Sequence, residues 1–81
     1  FPAIDLARSA VASSPLHPAV LNAANEVCVE AFLRGKIGYL DIVDTVARVL
    51  DSFDGVGEIS LAGVLEADAW ARRSAHAVLG V

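Results

Sequence analysis

Asn22-Ala23-Ala24-Asn25-Glu26 is the part of this 81-residue chain whose residue types and spacing most invite a chemical reading. On a helix, Asn22, Asn25 and Glu26 stand at i, i+3 and i+4 and share one face. Asparagine is a mediocre helix former, so two of them beside a glutamate point to a hydrogen-bonding task. One such task is to bind a ligand or help hold a metal. The other is to satisfy backbone groups of a neighbouring loop or domain. Amides are poor metal ligands, and one carboxylate is too few for a hard-cation cage, which favours the second.

The remaining candidates are thinner. Glu26 and Glu30 form an i, i+4 acidic pair that resembles paired catalytic carboxylates but reads more simply as a solvated helix face. His17 and His76 each lack a partner at ligand spacing, whereas zinc needs about four converging ligands. Both histidines read as partly exposed. Cys28 falls on an apolar helix side with no basic neighbour to lower its pKa, the setting of a small buried hydrophobe and not of a nucleophile. Gly35 and Gly38 flank Lys36, but no phosphate-loop pattern follows a strand. Trp70 reads as a core or interface anchor. No catalytic, cofactor-binding or metal-binding set is assembled, and Asn22, Asn25 and Glu26 stand as structural, interdomain candidates.

Helices are what must position these residues. Phe1 to about Ala12 carries Leu6, Ala7, Ala10 and Val11 at helical spacing, followed by a breaker from Ser13 to Pro18. The second helix runs from Pro18 to Arg34, with Gly35 placed for a left-handed cap. In the third, about Leu40 to Phe53, Ile42, Val43, Val46, Val49, Leu50 and Phe53 form the apolar stripe. Asp44, Thr45, Arg48, Asp51 and Ser52 form the polar face, with Asp44 and Arg48 as an i, i+4 ion pair. Ser60 caps a last helical region that reaches Leu79 and ends at Gly80. An unbroken helix there would place Asp68 in a stripe with Val64, Ala71, Ala75 and Val78, so a kink capped by Asp68 is expected. The fold class is all-α, a small bundle of about four helices forming a single domain over residues 1–81. Leu21 and Leu50 are taken as core positions, each worth about 2–5 kcal/mol against alanine.

Composition bounds the partners. A net charge of −4, with 10 acidic and 6 basic residues, argues against nucleic acid, since the basic residues are scattered. The longest uncharged stretch, residues 9–25, is interrupted by Pro15 and Pro18, so no membrane-spanning helix is expected. One cysteine excludes an internal disulfide framework and fits a reducing compartment. A hydrophobic fraction of 56% and a mean hydropathy of +0.58 are high for so small a domain. That excess favours a module docked on something larger. The first residue, Phe1 and not Met, fits a piece of a longer polypeptide.

Leu21-Asn22-Ala23-Ala24-Asn25-Glu26, followed by Val29, Ala31-Phe32-Leu33, Ile37 and Asp41-Ile42, closely resembles the C-terminal domain of the 1-deoxy-D-xylulose 5-phosphate reductoisomerase family. Phe1-Pro2, Leu6-Ala7, Val64-Leu65, Asp68-Ala69 and Ala71-Arg72 fit the same pattern in the same order, and Cys28 and Trp70 depart from it. The resemblance implies a parent enzyme of the non-mevalonate isoprenoid pathway, homodimeric and cytoplasmic or plastid. That parent converts 1-deoxy-D-xylulose 5-phosphate to 2-C-methyl-D-erythritol 4-phosphate with NADPH and Mg²⁺ or Mn²⁺. It also implies that nucleotide, metal and phosphate are bound by other domains of the chain, so no such residue is assigned here. The terminal helical domain would then support the catalytic and nucleotide-binding domains. A free-standing helical interaction module and a small metal- or ligand-binding bundle enzyme are the alternatives.

Overall fold

The structure, a computed structural model, describes Asp5 and residues 14–81. Within them lie three helices: α1 (His17–Leu33), α2 (Tyr39–Ser52) and α3 (Leu61–Leu79). The described residues are thus all-helical, with three helices where about four were expected. Apart from Asp5, the segment expected to form the first helix lies outside the described residues.

Each helix begins and ends where its local chemistry dictates. Before α1, the Ser14 hydroxyl accepts from the backbone N–H groups of Leu16 and His17, both at 3.3 Å, so the helix starts one residue ahead of Pro18. At its far end Gly35 takes φ +72°, Gly35 N–H donates to Phe32 O at 2.9 Å, and Lys36 N–H donates to Ala31 O at 2.9 Å. This is the paired bonding of a Schellman stop, which only a residue free of a β-carbon adopts cheaply. Asp41 Oδ2 reaches back to accept from Gly38 N–H at 2.8 Å, closing the start of α2. Ser60 Oγ accepts from Gly63 N–H at 3.1 Å and caps α3, which stops at left-handed Gly80.

α1 is the central element and packs against both α2 and α3. Its buried residues Val20, Ala23, Ala24, Val27 and Cys28, with Leu16 just ahead of the helix, join Val46, Val49 and Leu50 of α2 and Ala67, Ala71 and Ala75 of α3 in one cluster. Five of these twelve side chains are alanines, two on α1 and three on α3. Small residues on both facing stripes let two helices approach closely.

The expected break in α3 does not occur: the helix is continuous from Leu61 to Leu79. The true buried seam is Gly63, Ala67, Ala71 and Ala75, at strict i, i+4 spacing, while Val64 and Val78 are exposed. Asp68 therefore sits beside the seam, half-buried, where Arg72 neutralises it and no kink is needed. Two further expectations change on α2. Thr45, assigned to the polar face, is buried beside Cys28, and Asp44–Arg48 is not among the ion pairs of the described residues. Leu50 is core, but Leu21 is only half-buried at the edge of the cluster.

Candidate functional site

The Asn22–Glu26 segment lies midway along α1, and the helix splits its polar groups between two neighbours. Glu26 faces α3: its Oε2 accepts from Arg72 Nη2 at 2.9 Å and from Asn22 Nδ2 at 3.2 Å. Arg72 completes the set by donating from Nε to Asp68 Oδ1 at 2.7 Å and from Nη2 to Asp68 Oδ2 at 3.3 Å. The hydrogen bonds to Asp68, then those to Glu26, raise the Arg72 guanidinium further above its ordinary pKa. Arg72 and Glu26 remain 40% and 54% exposed, so the cluster ties α1 to α3 with a modest energy in high dielectric. Glu30 is also paired, with Arg34 at 3.0 Å. The two acidic residues at i, i+4 thus have separate cationic partners and do not form a shared acid–base pair. Arg72, 46 positions from Glu26, could not have been found from spacing; only the α1–α3 packing brings it in.

Asn25 lies on the other flank and, with Asn22, lines a groove between α1 and α2 of about 410 Å³. Pro18, Leu21, Val29, Tyr39, Ile42 and Val43 make its apolar walls. No formally charged side chain lines it, whereas three other grooves on the surface each include charged residues such as Glu66 and Arg73, Glu30 and Arg34, or Asp41 and Arg48. The edge of Tyr39 meets Phe32 with ring centroids 6.0 Å apart, and Leu33 and Leu40, next to these two rings in sequence, are exposed.

The histidines differ from expectation at one of two positions. His17 is buried, not partly exposed. Its Nδ1 lies 2.5 Å from Ser14 Oγ, and because that oxygen already accepts from two backbone N–H groups, its own hydrogen is available to donate to the ring. The ring also stands edge-on to Phe53 at 5.0 Å, and Phe53 in turn packs against Trp70 at 5.2 Å. This aromatic row joins the start of α1, the end of α2 and the middle of α3, so Trp70 acts as a core anchor. Ser14 is occupied as a helix cap and has no third group behind His17, so the pair is not arranged as a nucleophile and base. His76 is exposed and its Nδ1 donates to Val81 O at 2.6 Å.

Cys28 is fully buried. Burial raises its thiol pKa above the ordinary value, and a hydrogen bond with Thr45 partly offsets this. Such a thiol is inert at neutral pH. Among the described residues no three His, Cys, Asp or Glu side chains converge, so the residues present do not fit a divalent ion. No described helix is long and apolar enough to cross a membrane.

Comparison with known proteins places this geometry in context. Residues 1–74 match the family model for the DXP reductoisomerase C-terminal domain. A 1-deoxy-D-xylulose 5-phosphate reductoisomerase of Beutenbergia cavernae is 58% identical over 81 residues, covering 98% of this chain and 21% of its own length. That of Leifsonia xyli subsp. xyli is 50% identical over 80 residues, covering 99% and 22%. The chain thus spans about a fifth of the length of the curated relatives it matches. Among solved structures, the reductoisomerase from Zymomonas mobilis in complex with NADPH superposes with a TM-score of 0.92 at 43% identity, over 100% of this chain and 21% of that one.

Proposed function

The chain belongs to the 1-deoxy-D-xylulose 5-phosphate reductoisomerase family as its C-terminal domain, and from that premise we propose that it supports the catalytic and nucleotide-binding domains of a longer chain with that activity. The parent rearranges 1-deoxy-D-xylulose 5-phosphate and reduces the product to 2-C-methyl-D-erythritol 4-phosphate, using NADPH and Mg²⁺ or Mn²⁺. It acts as a homodimer in the bacterial cytoplasm or in plastids, without nucleic acid or membrane. NADPH and metal are held by the other domains, and no step of the chemistry is assigned to the 81 residues.

The single observation that carries this reading is the match of residues 1–74 to the C-terminal domain family. The structure of the chain is in keeping with it. Its polar clusters serve helix capping and the α1–α3 contact, and its acidic residues at i, i+4 are separately paired. Asn22, Asn25 and Glu26 are assigned the role of fixing the domain within the parent. Glu26 acts through Arg72 to hold α1 on α3, and the two asparagines face the adjoining chain. A free-standing interaction module is not favoured, given a family in which this sequence is one part of an enzyme.

The test is NADPH oxidation by the full-length parent with 1-deoxy-D-xylulose 5-phosphate and Mn²⁺, with and without residues 1–81. Turnover by the intact protein and its loss on truncation are expected. A folded, metal-loaded parent that does not turn over would overturn the assignment, and full activity after truncation would overturn the supporting role.

A further inference from the structure

We infer that the α1–α2 groove is the seat of an uncharged segment from the part of the enzyme outside these 81 residues, its side chains on the apolar wall and its backbone on Asn22 and Asn25. The inference rests on the reading of the chain as one domain of a reductoisomerase, and names the surface by which it is held.

Three observations carry it. The first is charge. On a chain of net charge −4, this groove is lined by no formal charge, while the other grooves described each contain several. Seating a charged side chain here would strip its water with no counter-ion in return. The occupant is therefore neutral. The second is hydrogen-bonding capacity. Each asparagine amide offers one carbonyl acceptor and two N–H donors. Asn22 uses Nδ2 towards Glu26 and keeps its carbonyl as an acceptor on a side chain that lines the groove. Asn25, one helical turn further along, adds an exposed amide on the same lining. Two amides about a turn apart match the alternating N–H and C=O groups of an extended backbone, and an apolar floor suits its side chains. The third is length. The Zymomonas mobilis enzyme matches this chain end to end, yet the match covers only 21% of that protein, so about four-fifths of such a chain lies elsewhere. Tyr39 on the groove wall and its neighbour Leu40 are 66% and 76% exposed, as expected of a face that a neighbouring domain covers.

Hydrogen–deuterium exchange on the full-length enzyme tests this with Asn25→Asp and Tyr39→Asp. Both side chains are exposed, and an acid in the first turn of α2 suits the helix dipole, so neither change threatens the helices themselves. Val56→Asp, at an equally exposed apolar residue away from the groove, is the control. The groove variants should speed exchange roughly tenfold or more in a segment outside residues 1–81, with α1 and α2 still protected and the control unchanged. Unchanged exchange everywhere outside residues 1–81 would overturn the proposal. So would faster exchange confined to residues 1–13, which would give the groove to the chain's own leading segment. Protection of the groove that is lost on dilution would give it to a second copy, and equally defeat the proposal. NADPH turnover by the wild-type protein is read separately: its absence would remove the reductoisomerase assignment while leaving the docking result to stand or fall by exchange.

Discussion

Gly63 stands at the third position of α3, where its N–H is already bound to the Ser60 cap, and a β-carbon there would collide with the backbone of Glu58. In an open helix, exchanging glycine for alanine gains about 0.5–1 kcal/mol. Here the obstruction is a carbonyl in the capping turn, which cannot rotate away as a flexible side chain would. Gly63→Ala is therefore expected to cost about 1–3 kcal/mol, read as a lower urea midpoint. A higher midpoint would show that the α2–α3 turn yields easily. Cys28 makes a second residue-scale prediction through the sign of its shift. The folded thiol has a pKa above that of the unfolded one, because burial outweighs the Thr45 hydrogen bond. Stability is then full below the unfolded thiol pKa and declines as pH rises through the folded value. Replacing Cys28 with alanine should flatten the alkaline side of the stability profile. The same alkaline loss in that variant would assign the loss to another group.

Helix α2 has the cleanest period in the sequence, and its boundaries fall within one residue of the expected ones. Its stripe explains why Leu50→Ala should cost about 2–5 kcal/mol in chemical denaturation. Leu21, half-buried at the groove, should lose less when the domain is studied alone, and a loss equal to that of Leu50 would place it in the core after all. The legibility of the other helices depended on how large their side chains are. Caps at Gly35, Ser60 and Gly80 were readable because each solves a backbone problem that few residues solve. The seam of α3 was legible only in its second half, at Ala71 and Ala75, because glycine and alanine carry so little hydrophobic signal that Val64 and Val78 outweighed Gly63 and Ala67. In the first half the stripe is displaced by one residue, to Val64 and Asp68 in place of Gly63 and Ala67, which puts a carboxylate in it and makes a kink look necessary. Thr45 was misplaced for a related reason: a hydroxyl counts as polar in a pattern, yet it can be buried wherever a thiol lies within reach. The partners within the Asn22–Glu26 cluster followed from helical spacing, whereas Arg72 follows only from the packing of α1 on α3.

At the scale of the whole molecule, the alanine seam decides what kind of core this is. Among the described residues, six of thirteen buried hydrophobic side chains are alanines (Ala23, Ala24, Ala31, Ala67, Ala71 and Ala75). Helices held by such a seam enclose much peptide backbone for each apolar atom they shield from water. Apolar and polar surface change the heat capacity of unfolding in opposite directions when exposed. Scanning calorimetry should thus give a heat-capacity increment per residue below the usual ~12–15 cal/mol/K. A value within or above that range would mean that more apolar surface is enclosed than the seam provides. A small increment flattens the curve of stability against temperature. Such a domain gains little on moderate cooling, loses little on moderate warming, and takes its sharpness of melting from whatever it is joined to.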